Sequence, residues 1–195
     1  MRGLLMLATL CGFVALVAAP ASLGAPPPGV TCHPVGGGTI CQFSNPDSYG
    51  PVDTGIVCGS GQDAFDIFDQ AVNNGHGTAW FDQNGNLTKV TTENIYSFGQ
   101  WSNPLTGAVV PYTQHNIETF ELAVPGDITS ATWTITGENI YRPSTGAPVL
   151  IAVGRQVFSF DQSQLISSHG PNAFVAAFYL GDASAFDPIC AALGA

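Results

Sequence analysis

The clearest signal along the chain is an alternation of apolar and polar positions broken by turn residues. In 128–141, Ala131, Trp133, Ile135 and Tyr141 share one face of an extended segment, and Ser130, Thr132, Thr134 and Thr136 share the other. Successive side chains of a strand point to opposite faces, so this segment predicts a strand with one face buried. In 149–160 both faces are apolar: Val149, Ile151, Val153 and Val157 on one, Leu150, Ala152, Phe158 and Phe160 on the other. That pattern predicts a strand covered on both sides. Asn84-Gly85, between Trp80-Phe81 and Leu87, reads as a hairpin turn. Asn103-Pro104-Leu105-Thr106-Gly107, Val124-Pro125-Gly126-Asp127 and Pro143-Ser144-Thr145-Gly146 read as three more turns. They delimit 87–102, 108–123, 128–142 and 147–160, each about 14 residues and long for a strand. Strands of that length twist and coil strongly, which favours a barrel or a highly curved sheet.

Other segments are less regular. In Ala64–Val72 the spacing of Phe65, Phe68 and Val72 suits a helix, while Gly-rich flanks and Phe/Ile content suit a strand. Asn172–Leu180 reads as a helix or a last strand, and Ala183–Leu193 as a short helix or turn that returns Cys190 to the body. Residues 22–55 hold Pro26-Pro27-Pro28 and Gly36-Gly37-Gly38, which predicts a tail followed by a stapled loop, with at most a short strand at Thr39–Ser44. An internal echo links Thr91-Thr92-Glu93-Asn94-Ile95-Tyr96 to Thr136-Gly137-Glu138-Asn139-Ile140-Tyr141, as two hairpins of similar design would. The fold class expected is all-β: an antiparallel meander over 56–195, closed as an up-and-down barrel of about 7–8 strands, with a short C-terminal helix. A two-sheet sandwich is the alternative.

Composition narrows the setting. The chain has 195 residues, 14 acidic against 4 basic, a net charge of −10 and 45% hydrophobic residues. A disordered chain lacks that much apolar material, and a nucleic-acid binder needs a cationic face that so few bases cannot make. Arg2, the uncharged apolar run Gly3 to Ala18 and the small-x-small triplet Ala19-Pro20-Ala21 predict a signal peptide over 1–21. No later run approaches the length of a membrane span. The expected location is therefore extracellular. Cys32, Cys41, Cys58 and Cys190 follow the signal peptide, an even count that predicts two disulfides in an exported chain. Three pairings are possible; the favoured one joins Cys32 to Cys41 and Cys58 to Cys190.

Cys58-Gly59 leading into Phe65-Asp66-Ile67, then Asn103-Pro104-Leu105-Thr106-Gly107, Thr136-Gly137-Glu138-Asn139 and Asp187-Pro188-Ile189-Cys190-Ala191-Ala192-Leu193 resemble a group of uncharacterised exported bacterial β-meander proteins. The likeness covers about 58–193. It implies a meander and a Cys58–Cys190 clasp, and it implies no activity.

Candidate chemistry is sparse. Asp82, Asn84, Asn86 and Glu93 imitate a calcium loop, but Leu87 stands where that loop needs glycine. Asp63, Asp66 and Asp69 recur every third residue and read as solvated surface. His33, His76, His115 and His169 lack a partner at metal-ligand spacing, and no nucleophile motif is present. Asn86-Leu87-Thr88 is a glycosylation sequon at a hairpin tip. No catalytic residue, metal or cofactor is predicted. One constellation remains: Glu93, His115, Glu138 and Arg155, one on each of four successive strands, with Tyr96 and Trp133 as aromatic lining alongside Trp80, Trp101 and Tyr141. If the sheet closed, these polar groups would anchor a small apolar or amphipathic ligand in an apolar interior of at least about 300 Å³. The other expectations are an envelope or protein-interaction module with a packed core and, third, a barrel-type isomerase. Oligomeric state is not readable.

Overall fold

Each of the four turn signals closes a hairpin of one antiparallel sheet. The computed structural model describes residues 27–144 and 146–194; the predicted signal peptide lies outside them. Eight strands follow in chain order: β1 (Val30–Val35), β2 (Gly38–Cys58), β3 (Phe65–Phe81), β4 (Leu87–Ser102), β5 (Val109–Leu122), β6 (Ala131–Tyr141), β7 (Leu150–Ser159) and β8 (Leu165–His169). Their order in the sheet is β1-β2-β3-β4-β5-β6-β7-β8, a plain meander. Two short helices complete the chain, α1 (Ala173–Tyr179) and α2 (Asp187–Ala192).

The turns work as their residues dictate. Gly85 adopts a φ of 82°, and the Asp82 carboxylate accepts from the backbone N–H of Asn84 and Asn86 (2.8 Å each) and from the Asn86 amide (3.1 Å). The supposed calcium loop is thus a hairpin whose carboxylate is engaged by its own backbone. Asn103 Oδ1 accepts from Leu105 N (2.8 Å), while its amide donates across the molecule to the Leu193 carbonyl (3.1 Å).

The sheet is open, with β1 and β8 as separate edges. It forms neither the closed barrel nor the sandwich expected. The C-terminal segment fills the concavity instead. Asn172 bridges to Ala152 and caps α1 through Val175 N (3.1 Å). Phe174 and Val175 pack into two different apolar clusters, and Phe186, Ile189 and Leu193 enter the first of these. The Cys58–Cys190 disulfide ties α2 to the end of β2, and Cys32–Cys41 joins directly opposed residues of β1 and β2. In the loop-closure picture a clasp of such long span contributes about 4–5 kcal/mol.

The N-terminal expectation is corrected. What read as a Pro/Gly-rich loop with at most Thr39–Ser44 extended is β1 and the long β2, so the boundary at 55/56 falls inside a strand. Pro51 falls in the bulge that interrupts the β2–β3 register between Tyr49 and Val52, and Pro46 lies beyond residues 38–43, the stretch of β2 that β1 pairs with. The buried Thr54 hydroxyl accepts from Ile56 N (3.2 Å) and donates to the Ile67 carbonyl (2.8 Å), serving backbone groups at the bulge. Ala64–Val72 resolves as strand, and the segment after Pro171 as helix.

Candidate functional site

Burial alternates along the central strands and defines the concave face. It carries Phe65, Ile67, Ala71, Asn73 and Ala79 of β3, Val90, Thr92, Asn94 and Trp101 of β4, and the even positions 110–122 of β5. Two apolar clusters occupy its ends. The first contains Ile67, Trp101, Val110, Tyr112, Tyr141 and Leu150. The second contains Val90, Phe120, Leu122, Trp133 and Phe158. Phe120, Trp133 and Phe158 sit directly opposite one another on β5, β6 and β7, with ring centroids 5.7 and 5.6 Å apart. Such aromatic pairs contribute about 0.5–1.5 kcal/mol each beyond area burial.

Between the clusters lies a polar belt. The Asn73 amide donates to Asn94 Oδ1 (2.9 Å), and the Asn94 amide donates to both Asn116 Oδ1 and Glu118 Oε1 (3.1 Å each). Trp133 Nε1 donates to Glu118 Oε2 (3.2 Å), and Ile95 N donates to Asn73 Oδ1 (3.1 Å). All four polar residues of this chain are buried. Gly75 makes room for it: a Cβ there would lie 3.1 Å from both Asn73 Nδ2 and Asn94 Oδ1. In the same row as Glu118, two strands over, Gln156 is 3% exposed and its Nε2 has no hydrogen-bond partner.

Toward the first cluster the belt runs into Asp69. Tyr49 and Tyr112 donate their hydroxyls to its two carboxylate oxygens (2.9 and 3.1 Å). Tyr96 and Tyr141 pack on Tyr112 with ring centroids 6.2 and 4.9 Å away, and Trp101 packs on Tyr141 at 4.6 Å. Gly99 admits the Tyr112 ring, which would collide with a Cβ at that position. Tyr49, Asp69, Tyr96, Gln114 and Asn139 are all partly exposed, so the belt reaches solvent here.

Burial dominates the electrostatics. It pushes the Glu118 carboxyl up to about 7, against the opposing pull of the Trp133 indole N–H. It also raises Asp69, despite the hydroxyls of Tyr49 and Tyr112 that favour its charged form. Tyr49, Tyr112 and Tyr141 are held well above the usual phenol range by burial and then by Asp69, and Tyr96 by burial and then by Glu118. Among the described residues no cation compensates these carboxyls. Lys89 lies over the outer-face Trp80 ring (5.3 Å), Arg142 is exposed beyond the end of β6, and Arg155 is exposed.

The constellation expected from sequence lies elsewhere. Glu93, His115, Glu138 and Arg155 occupy the opposite phase of their strands and project from the outer face, so they share no interior. There Glu93 bridges two imidazoles, His115 Nε2 at 2.7 Å and His76 Nε2 at 3.0 Å. His115 lies opposite Glu138 in the register. These contacts, led by the His115 hydrogen bond, hold the Glu93 carboxyl below its ordinary range. Trp133, 6% exposed, and Trp101, 3% exposed, are packed core and line no open cup. Of the predicted residues only Tyr96 and Trp133 belong to the belt. Asp69, read as solvated surface, is its half-buried anchor, whereas Asp63 and Asp66 are exposed.

Sequence reasoning missed Asp69, Asn73, Asn94, Asn116 and Glu118. The signal was present in β5: Val110, Tyr112, Phe120 and Leu122 set the buried phase, and Asn116 and Glu118 fall on it. A concavity of about 460 Å³ opens beside the clasp, between Ile56, Val57, Gly59 and Phe186, Asp187, Ala191. No belt residue lines it. Among the described residues no group of three His, Cys, Asp or Glu is placed to hold a metal ion, and no helix is long and apolar enough to cross a membrane. Comparison with protein-family models, curated proteins and solved structures finds no match to this chain.

Proposed function

We propose that this chain is an exported binding protein for a small amphipathic molecule, taken up at the concave face where the belt meets solvent. The observation that carries this reading is the unbalanced polar chemistry between two filled apolar clusters. A carboxyl at Glu118 is buried against neutral donors only, and the neighbouring Gln156 amide N–H is unpaired. Buried polar groups are ordinarily satisfied, and an exception calls for an explanation such as a ligand. The partly exposed rings of Tyr49 and Tyr96 supply an apolar wall beside the Asp69 carboxylate, the mix of apolar lining and few convergent polar groups that small-molecule sites use. The signal-peptide pattern and the two disulfides support export.

The test is native mass spectrometry of protein secreted by its own host, followed by amide NMR of the stripped protein with the recovered compound added. Expected is a bound small molecule whose return shifts the side-chain amides of Asn73, Asn94 and Asn116. Shifts confined to outer-face residues such as Glu93 and His115 would remove the reading. A second reading, an envelope or protein-interaction module, draws support from the two free sheet edges and the paired, exposed Val72 and Phe98 on the outer face. It predicts retention of the purified protein on extracted cell wall, abolished by Phe98→Ser.

A further inference from the structure

Resting on the binding reading above, the chemistry of the same site narrows the ligand class. The concave face holds two carboxyl groups, Asp69 and Glu118, and Asp47 stands exposed opposite Asn73 on the neighbouring strand. Lys89, Arg142 and Arg155 all lie outside this face. The polar partners of the two carboxyls are neutral: hydroxyls of Tyr49 and Tyr112, the Trp101 indole and the Gln70 backbone N–H on Asp69, the Asn94 amide and the Trp133 indole on Glu118. Two carboxyl groups set among aromatic rings, with no counter-charge among the described residues, form an environment that disfavours anions and offers both ion pairing and ring faces to a cation. Tyr96 lies between them; the charges of both Glu118 and Asp69 act on its hydroxyl.

A second feature points to the rest of the molecule. Gln156 Nε2 is a buried donor without an acceptor, on the same face and in the same row as Glu118. A ligand that met it would bring an oxygen. We infer that the site takes a small organic cation that also bears a hydroxyl or carbonyl oxygen: its ammonium group lies against Asp69 and the Tyr49 and Tyr96 rings, and its oxygen faces the Gln156 side of the belt. The ammonium supplies the positive charge that the belt lacks, and donates without competing with the amide and indole N–H groups already pointing at the carboxyls.

Three probes of nearly equal shape separate charge from shape: 4-aminobutan-1-ol, butane-1,4-diol and 4-hydroxybutyrate. Titration followed by amide NMR and calorimetry at pH 8 should give binding of the amino alcohol at least about tenfold tighter than the diol, with none by the hydroxy acid. Asp69→Asn should weaken the amino alcohol about tenfold or more and Gln156→Leu about threefold, while the outer-face control Glu93→Gln should leave it unchanged. Near-ultraviolet circular dichroism and amide dispersion of Asp69→Asn matching those of the wild type guard against a misfolded variant. If the diol binds the belt as tightly as the amino alcohol, the cation class is wrong and the binding face stands. If 4-hydroxybutyrate binds best, the class is also wrong. If no probe moves the belt resonances while the compound recovered from the host does, the cation class fails alone. If neither moves them, both readings fail.

Discussion

Glu93 and Glu118 are the same residue type on adjacent strands, and they meet opposite fates. In the β4–β5 register Glu118 stands opposite Thr92 and Glu93 opposite Ile117, so the two carboxyls are one position apart on opposite faces of one sheet. The outer one is bridged by His76 and His115 and sits below its ordinary range. The inner one is wrapped by an amide and an indole and is raised to about 7. Neutral donors and partial hydration cannot repay the desolvation of a carboxylate, whereas exposure leaves little desolvation to repay. A strand's two-residue period thus decides whether a carboxyl becomes a surface group bridged by imidazoles or a buried group met only by neutral donors. The outer cluster is complete in itself. The inner belt is incomplete, and that incompleteness makes it the candidate site.

The comparison breaks most readily at Asn94. Its amide joins Asn73, Asn116 and Glu118, so Asn94→Ala leaves three buried groups short of partners and should cost about 3–4 kcal/mol in urea unfolding. Asn74→Ala removes one exposed bond, the 2.9 Å contact with Ser97, and should cost no more than about 0.5 kcal/mol. Equal losses at the two positions would mean that the belt is hydrated rather than buried.

The next effect concerns the slope of stability with pH. The Glu118 pKa rises from 4.5 in the unfolded reference to about 7 in the fold. Between these values the native state holds more protons than the unfolded state, so stability falls as pH rises through the window and levels off above it. The contribution lost is about 3 kcal/mol. Glu118→Gln should flatten the decline between pH 4.5 and 7 measured by denaturant titration. Its absolute stability is a poorer guide, because the new amide sets an N–H against a donor at Asn94 or Trp133. A decline that persists unchanged in the variant would remove Glu118 as its source.

Much of the sheet was legible because its signals are local. Turn residues at 84–85, 103–107, 124–127 and 143–146 and strict alternation in 128–141 report on a few neighbours, and each matches a hairpin or a strand face. Closure and the N-terminal strands were not legible for the opposite reason. β2 hides its extended state behind Pro46, Pro51 and several glycines; a bulge in the β2–β3 pair accommodates Pro51, and Pro46 lies past the residues that β1 pairs with. The sheet stays open because α1 and Phe186, Ile189 and Leu193 fill its concavity, a contact between distant parts of the chain that no local pattern encodes. The site was misread through phase. Glu93, His115, Glu138 and Arg155 share successive strands, but alternation puts them all outside. Asn116 and Glu118 sit on the phase of Tyr112 and Phe120, the opposite face from His115.

The smallest effect tests the other half of the comparison. Glu93 is lowered in the fold, first by its hydrogen bond to His115 and then by the neighbouring His76. A depressed carboxyl contributes stability above its unfolded value of 4.5 and loses it as pH falls through the folded value. Glu93→Gln should therefore leave the pH 4.5–7 decline intact and soften only the acid limb below it. The size is that of an exposed pair, reduced further by salt, since solvent screens such contacts. Melting temperatures of wild type, Glu93→Gln and Glu118→Gln between pH 3 and 8 place the two carboxyls on one plot: the outer variant departs from wild type at the acid end, the inner variant between 4.5 and 7. If both variants departed in the same window, the faces would not be electrostatically separate. The concave belt would then lose the feature that distinguishes it, a charge deficit that no described residue makes good.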